Sequence, residues 1–298
     1  MASMLEQVSN DFAAAVERIG PAVVRVEGRR RFPATGVIWS SEGVIVTAHH
    51  VVKRDEGISV GLADGRTANA ALVGRDPSTD LAVLRAEAGD LAPASWAGDA
   101  ALKVGQLALA VGRPGEALQA SLGVITALEG AWRSPAGGSI ERYVQADVTM
   151  YPGFSGGPLL GAAGDMIGLN TSALLRGVSL TIPAQTVRRV VEALLAHGRV
   201  RRGYLGIGSQ PVRLPDALAS ELGQETGLLL VSVEPDSPAG RAGLLLGDTI
   251  VALAGERVRH LDDLQAILSG DRVGQTVTVR IVRGGQAQER EVTIGERA

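Results

Sequence analysis

The sequence predicts a mainly β protein of two domains, with one helix in front and one between them. Three observations carry that expectation. The chain has 298 residues, more than a single domain of about 100 to 200 residues holds. From residue 21 to about 182 it breaks into short β-rich runs separated by Gly, Pro, Asp and Ser. Two amphipathic stripes at helical spacing flank that region. The 39 glycines and only three each of Trp, Tyr and Phe add many tight turns and aliphatic sheet cores.

The first stripe is Leu5, Val8, Phe12, Val16 and Ile19, and Gly20-Pro21 is expected to supply a left-handed cap that ends the helix. The runs AVVRVEG, GVIWS, GVIVTA, ISVGLA, DLAVLRA, LALAVG, SLGVITAL, YVQADV and MIGLNT then read as strands of an antiparallel barrel or sandwich. A second helix follows Pro183 with Val187, Val190, Val191, Leu194 and Leu195 on one face, and Gly198 closes it. From Arg199 onward come several strands, two helix signatures and a final hairpin. There Val277, Val279 and Ile281 alternate with polar residues before a Gly284-Gly285 turn. The expected division is 1–20 for the N-terminal helical segment, 21–198 for the first domain with its linker helix, and 199–298 for the second.

Composition removes several function classes. Lys plus Arg (29) nearly balances Asp plus Glu (32), so no broad positive field draws nucleic acid. The dense basic run Arg29–Arg31 reads as a solvated hairpin tip rather than a binding patch. With no cysteine and no HExxH pattern, the sequence has no thiolate chemistry and no acceptable metal ligand set; no metal or cofactor is expected. Glu6, Asp11 and Glu17 interrupt any signal-peptide core, and nowhere do 18 apolar residues run together. The sequence as it stands therefore reads as cytoplasmic with no membrane span, or as periplasmic if a signal has been removed.

Acyl transfer needs a nucleophile, a base, an acid that orients the base, and donors for an oxyanion. In Tyr151-Pro-Gly-Phe-Ser-Gly-Gly-Pro158, three glycines surround Ser155 and permit a sharp backbone that aims the Gly153 and Ser155 amides inward. Only four histidines exist. His197 ends the linker helix and His260 lies in the second domain, which leaves His49 and His50 at the end of GVIVTA. Successive strand side chains point to opposite faces, so only one of the two should enter a site. For the acid, Asp76 precedes proline and an Asx turn explains it. Asp80, next to the apolar run Leu81–Leu84, is better placed beneath an imidazole.

Thr47-Ala-His-His-Val-Val52, Asp76-Pro-Ser-Thr-Asp-Leu-Ala-Val-Leu84 and Gly153-Phe-Ser-Gly-Gly-Pro-Leu159 resemble, in order, the three signature segments of the HtrA/Deg serine proteases. The resemblance implies a chymotrypsin-like double β-barrel whose triad is His50, Asp80 and Ser155, with Gly153 and Ser155 as the oxyanion hole. It selects His50, the histidine that directly precedes Val-Val. Two departures stand out: Ala48 and His49 where the family usually has asparagines, and Phe154 where it usually has asparagine before the serine. Asn170–Pro183 resembles the S1-pocket loop and the strand after it. It contains no acidic residue, which implies an aliphatic P1 preference.

In the second domain, Gly203-Tyr-Leu-Gly-Ile207 resembles the PDZ carboxylate loop, so Tyr204, Leu205, Gly206 and Ile207 are implied to hold a peptide C-terminus. Asp236-Ser-Pro-Ala-Gly-Arg-Ala-Gly243 and the run after it match the PDZ helix and strand, with Ser237 as cap. His260 is expected on the groove rim. The family implies an endopeptidase for unfolded or exposed polypeptides in protein quality control, its PDZ domain serving recruitment or regulation. It also implies a homotrimer or higher trimer-based assembly. The alternative is a peptide-binding chaperone or scaffold whose protease domain is inactive.

Overall fold

The computed structural model describes residues 3–96, 102–268 and 272–296, and the chain divides into two compact units, Met1–Val200 and Arg201–Ala298. Helix α1 (Met4–Ile19) starts on a capping box. Ser3 Oγ accepts the Glu6 amide at 3.2 Å, and the Glu6 carboxylate accepts the Ser3 amide at 3.3 Å. Its other end departs from the sequence expectation. Gly20 is right-handed (φ −49°, ψ −44°), because the backbone tightens into a 3-10 turn over Gly20–Ala22 instead of reversing. The buried Arg113 guanidinium fastens that turn through the carbonyls of Gly20, Val23 and Glu116 at 3.1, 2.7 and 2.6 Å. Along the apolar stripe Ile19 is buried and Phe12 and Val16 pack in part, but Leu5 stands 84% exposed.

Strands β1 (Val23–Glu27), β2 (Ala34–Ile38), β3 (Val44–Ala48), β4 (Ile58–Gly61), β5 (Thr67–Asp76) and β6 (Leu81–Ala86) close a barrel in the order β1-β2-β3-β6-β5-β4. Next come β7 (Leu107–Gly112), β8 (Gln119–Glu129), the short pair β9 (Trp132–Arg133) and β10 (Ser139–Ile140), β11 (Tyr143–Ala146), β12 (Pro158–Gly161), β13 (Met166–Leu175) and β14 (Val178–Pro183). All of these except β9 and β10 close a second barrel, in the order β11-β14-β13-β12-β7-β8. Counted by its own six strands, the second barrel repeats the strand order of the first. The runs read from the sequence lack β5, β12 and the short β9 and β10, and β14 enters only as the strand that the resemblance implies after the S1-pocket loop. β5 carries Ala, Asn and Gly without a two-residue period and is held by pairing to β4 and β6 on both edges, while Gly156-Gly157-Pro158 masks the start of β12.

Val24, Ile38, Ile45 and Leu84 help fill the first barrel, and Ala108, Ile125, Val144, Phe154 and Leu159 help fill the second. A further cluster containing Val46, Leu81, Leu109 and Leu169 joins the barrels. Helix α2 (Ala184–His197) buries Val187, Val190, Val191 and Leu194 in that cluster, each such burial being worth about 1.5–3 kcal/mol. Leu195, which the stripe also includes, is instead 37% exposed. Gly198 ends α2 in the left-handed conformation at φ 70°.

The second unit begins with β15 (Gly203–Tyr204) and β16 (Ile207–Arg213), followed by α3 (Asp216–Leu222), β17 (Thr226–Val233) and α4 (Pro238–Arg241). It continues through β18 (Thr249–Leu253), β19 (Glu256–Arg257), α5 (Leu261–Ile267), β20 (Thr276–Arg283), β21 (Gln286–Thr293) and β22 (Gly295–Glu296). The main sheet runs β16-β17-β18-β20-β21, with β19 on β18, and β15 pairs with β22. Arg283 pairs with Gln286, so Gly284 and Gly285 form the two-residue turn, both at positive φ as a type I′ turn needs. Ser237 caps α4, accepting the Gly240 amide at 3.1 Å.

Candidate active site

The site forms where the two barrels meet. On the first barrel, the loop between β5 and β6 is folded by Asp76, whose carboxylate accepts the Ser78 amide at 3.2 Å and the Ser78 and Thr79 hydroxyls at 2.7 Å each. That Asx turn delivers Asp80 at φ 57°, an uncommon backbone for a residue other than glycine, with its carboxylate buried. Asp80 Oδ1 accepts the His50 amide at 2.8 Å and Oδ2 meets His50 Nδ1 at 2.7 Å. Thr171 Oγ1, from β13 on the second barrel, donates to the same Oδ2. A desolvated carboxylate is thus met by three donors, which offsets the cost of its burial.

The two adjacent histidines separate differently from the sequence expectation. β3 ends at Ala48, and His49–Val51 form a 3-10 turn, so it is a turn and not strand alternation that sends the two rings apart. The His49 amide donates to the Asp80 carbonyl at 2.9 Å, while its buried Nδ1 finds no partner among the described residues. Burial lowers the His49 pKa, outweighing the upward pull of Asp80, so this ring is neutral at pH 7.

Gly153 (φ 93°) and Gly156 (φ 86°) make the turn around Ser155, and both lie where a side chain does not fit. A Cβ at Gly153 would meet Pro114 Cβ at 2.6 Å and the Pro33 carbonyl at 2.7 Å; one at Gly156 would meet the Thr35 carbonyl at 2.1 Å. Thr35 at the start of β2 braces the turn across the barrel junction. Its Oγ1 donates to the Gly153 carbonyl at 2.7 Å, and its amide to the Ser155 carbonyl at 3.3 Å. Asn170 adds two backbone bonds, accepting from Gly156 at 2.9 Å and donating to Gly157 at 2.8 Å. Among the described residues the amides of Gly153 and Ser155 donate to no protein acceptor. Two adjacent unspent donors at the barrel junction suit a developing oxyanion.

Ser155 Oγ lies 3.3 Å from Ser172 Oγ, and among the described residues no hydrogen bond joins it to His50. Phe154, its neighbour, is fully buried in the second barrel, edge-on to Tyr151 with ring centroids 5.4 Å apart. Sequence reading misses Thr35, and it places Thr171 and Ser172 only within the stretch that resembles the S1-pocket loop, without their contacts to Asp80 and Ser155. Asp147 serves the fold, accepting the Val124 amide at 2.6 Å and so tying the end of β11 to β8.

In the second unit Leu205 is buried and Gly206 is left-handed at φ 75°, where a Cβ would strike Ser237 Cβ at 2.1 Å. The carbonyls of Leu205 and Gly206 accept from Ala239 and Glu234, both at 2.9 Å, and the Tyr204 hydroxyl donates to Glu234. The amides of Leu205 and Gly206 donate to no acceptor among the described residues, an arrangement suited to a carboxylate. Ile207 opens the edge strand β16, beside which α5 packs with His260 exposed at its start. Among the described residues no group of three or more His, Asp and Glu side chains is arranged to hold a metal ion, and no helix is long and apolar enough to cross a membrane.

Two six-stranded antiparallel barrels, with a His–Asp pair on one and a glycine-flanked serine on the other, define a trypsin-like peptidase fold, here followed by a PDZ domain. Residues 34–169 match the trypsin-like peptidase domain family and residues 203–294 the PDZ domain family. A probable periplasmic DegP-like serine endoprotease of Chlamydia trachomatis is 37% identical over 91% of this chain, which spans 55% of that relative. The putative serine protease HhoB of Synechocystis is 32% identical over 97% of the chain and 80% of its own length. Among solved structures, the HtrA-type protease AlgW with a decapeptide superposes with a TM-score of 0.80 at 30% identity, covering 96% of this chain and 99% of that one. The serine endoprotease from Yersinia pestis also reaches 0.80, at 31% identity. The chain belongs to the HtrA/DegP family of serine proteases.

Proposed function

We propose that this protein is a serine endopeptidase that cleaves unfolded or exposed polypeptides through an acyl-enzyme. His50 takes the Ser155 proton as Oγ attacks the peptide carbonyl, Asp80 holds the imidazole in the required tautomer, and the Gly153 and Ser155 amides receive the oxyanion. His50 then protonates the leaving amine, and water releases the acyl group. The observation that carries this reading is the 2.7 Å contact of His50 Nδ1 with buried Asp80, beside two unspent amides at Ser155. The stretch Asn170–Pro183, which resembles the family's S1-pocket loop and the strand after it, contains no acidic residue, and this supports aliphatic P1 residues.

The second unit binds peptide C-termini at Tyr204, Leu205, Gly206 and Ile207, with the peptide backbone adding to the edge of β16. AlgW, the similar HtrA-type protease, was solved with bound peptide, which supports that role here. A trimer or trimer-based oligomer is the assembly the family implies, and the exposed Met4, Leu5 and Val8 give α1 an apolar face for it. The relatives named periplasmic favour the periplasmic location over the cytoplasmic one.

The contact of Ser155 with Ser172 in place of His50 favours one rival, a peptide-binding chaperone with a silent protease domain. A fluorophosphonate probe decides between them. Labelling that Ser155→Ala abolishes, with casein cleavage falling about 10⁴-fold or more, supports the endopeptidase. Folded protein that takes no label and cleaves no casein, with or without an added C-terminal peptide, sinks it.

A further inference from the structure

The Arg29–Arg31 run lies at the tip of the β1–β2 hairpin, where the sequence alone suggests nothing beyond a solvated turn. Its surroundings assign it more. Pro33, at the end of the tip, presses its carbonyl against Gly153, 2.7 Å from where a Cβ would stand, and Thr35 donates to the Gly153 carbonyl. The tip therefore borders the oxyanion turn. At its other end the Gly28 carbonyl accepts the amides of Lys53 and Arg54 at 2.8 and 3.2 Å, which draws in the segment that follows His50.

Arg30, Arg31, Lys53 and Arg54 are all exposed, and among the described residues no ion pair engages Arg29, Arg30 or Arg31. The nearby acids are largely spoken for. Glu27 pairs with Arg25 at 2.9 Å, and Asp55 pairs with Arg75, leaving Glu56 as the free negative charge among the described residues of this segment. At the apex Phe32 is 69% exposed and held left-handed at φ 56°, with its carbonyl fixed by Arg29 Nε at 2.7 Å. Positive φ at a bulky residue is uncommon, and exposing the ring as well leaves an apolar knob directly after the three arginines.

Which half of a substrate meets this rim follows from the proposed acyl transfer, on which the inference rests. His50 must reach the leaving nitrogen, so the substrate segment C-terminal to the scissile bond departs on the His50 side. From His50 the backbone runs directly to Lys53 and Arg54 and, through Gly28, to the arginines. The Ser172 side of Ser155 is left to the acyl half.

We propose that Arg29, Arg30, Arg31, Lys53 and Arg54, with the exposed Phe32 beside the arginines, form a subsite for the segment C-terminal to the scissile bond and select acidic residues there. The protein has a net charge of −3, so this is a local attraction set against a weakly repelling whole.

The test uses paired quenched-fluorescence peptides with the same aliphatic P1 half, one followed by Asp and Glu residues and the other by the matching Asn and Gln residues. In low salt the acidic peptide should be cleaved with about fivefold higher kcat/KM, the size expected of one or two exposed ion pairs. That ratio should fall towards one in high salt, collapse in Arg30→Ala/Arg31→Ala, and invert in Arg30→Glu/Arg31→Glu. Equal cleavage of the two peptides by wild type in low salt, or a ratio that survives both double variants, overturns the proposal while leaving the endopeptidase reading intact. Fluorescence anisotropy of the labelled peptides on Ser155→Ala, with and without the arginine substitutions, needs no turnover. If the endopeptidase reading itself fails, a preference for the acidic peptide that depends on Arg30 and Arg31 still supports the rim, and equal binding of the two rejects it.

Discussion

Thr171 and His50 meet the same oxygen of Asp80, one from each barrel. The carboxylate that orients the imidazole is thereby itself oriented from the opposite side of the cleft. Thr171→Val keeps the shape and deletes the donor. It should lower kcat/KM about tenfold, the worth of one hydrogen bond to a buried charge, mostly through kcat. Thr171→Ser should restore most of the loss, which a purely packing role for the residue would not produce.

Gly153 is tested by adding one methyl group. Its φ of 93° and the Pro114 and Pro33 contacts leave no room for a Cβ, so Gly153→Ala must move the amide aimed at the oxyanion. We expect kcat to fall about 10²-fold with KM little changed and the circular dichroism spectrum preserved. Steady-state kinetics on one aliphatic-P1 peptide separate the two parameters.

Phe154 sits beside the nucleophile yet belongs to the core of the second barrel. Phe154→Ala should destabilise the protein by about 3–5 kcal/mol, measured by urea unfolding, because its site is walled by Gly112 and the barrel strands and cannot collapse. Activity should be lost at temperatures where wild type is still folded.

In the second unit the buried Asp248 takes Arg283 through both carboxylate oxygens, at 2.7 and 2.8 Å. Burial pushes the Asp248 pKa up, but the Arg283 guanidinium and the Leu245 amide outweigh it and hold it below its ordinary value. A carboxyl whose folded pKa is depressed stabilises the fold above its unfolded pKa of about 3.9, and that stabilisation is lost as pH falls through the folded value. Arg283→Ala, which leaves the buried carboxylate with the Leu245 amide as its remaining donor, should cost about 2 kcal/mol at pH 7. The gap between variant and wild type should narrow below about pH 4, as thermal melts across a pH series would record.

Much of this site is legible in the sequence because its chemistry demands rare residues in restrictive settings. Four histidines leave few bases, and a serine between glycines marks a turn that no ordinary loop requires. The contacts of Thr171 and Thr35 are invisible for the opposite reason. Threonine is ordinary in a strand, and only the meeting of two barrels brings Thr171 to Asp80 and Thr35 to Gly153. The cap at Gly20 is misread because Arg113, 93 positions away, holds the following turn closed. β5 escapes notice because its partners on both edges, and not its own pattern, make it a strand.

The repeated strand order of the two barrels has a consequence for the life of the polypeptide as it is made. His50 and Asp80 lie on the half that leaves the ribosome first, and Ser155 with its amides lies on the half that follows. Neither half holds a working set of groups by itself. A nascent polypeptide that holds only the first barrel has a base with nothing to activate, so an unfinished chain can cleave neither itself nor its neighbours by the proposed chemistry until both barrels have closed on each other.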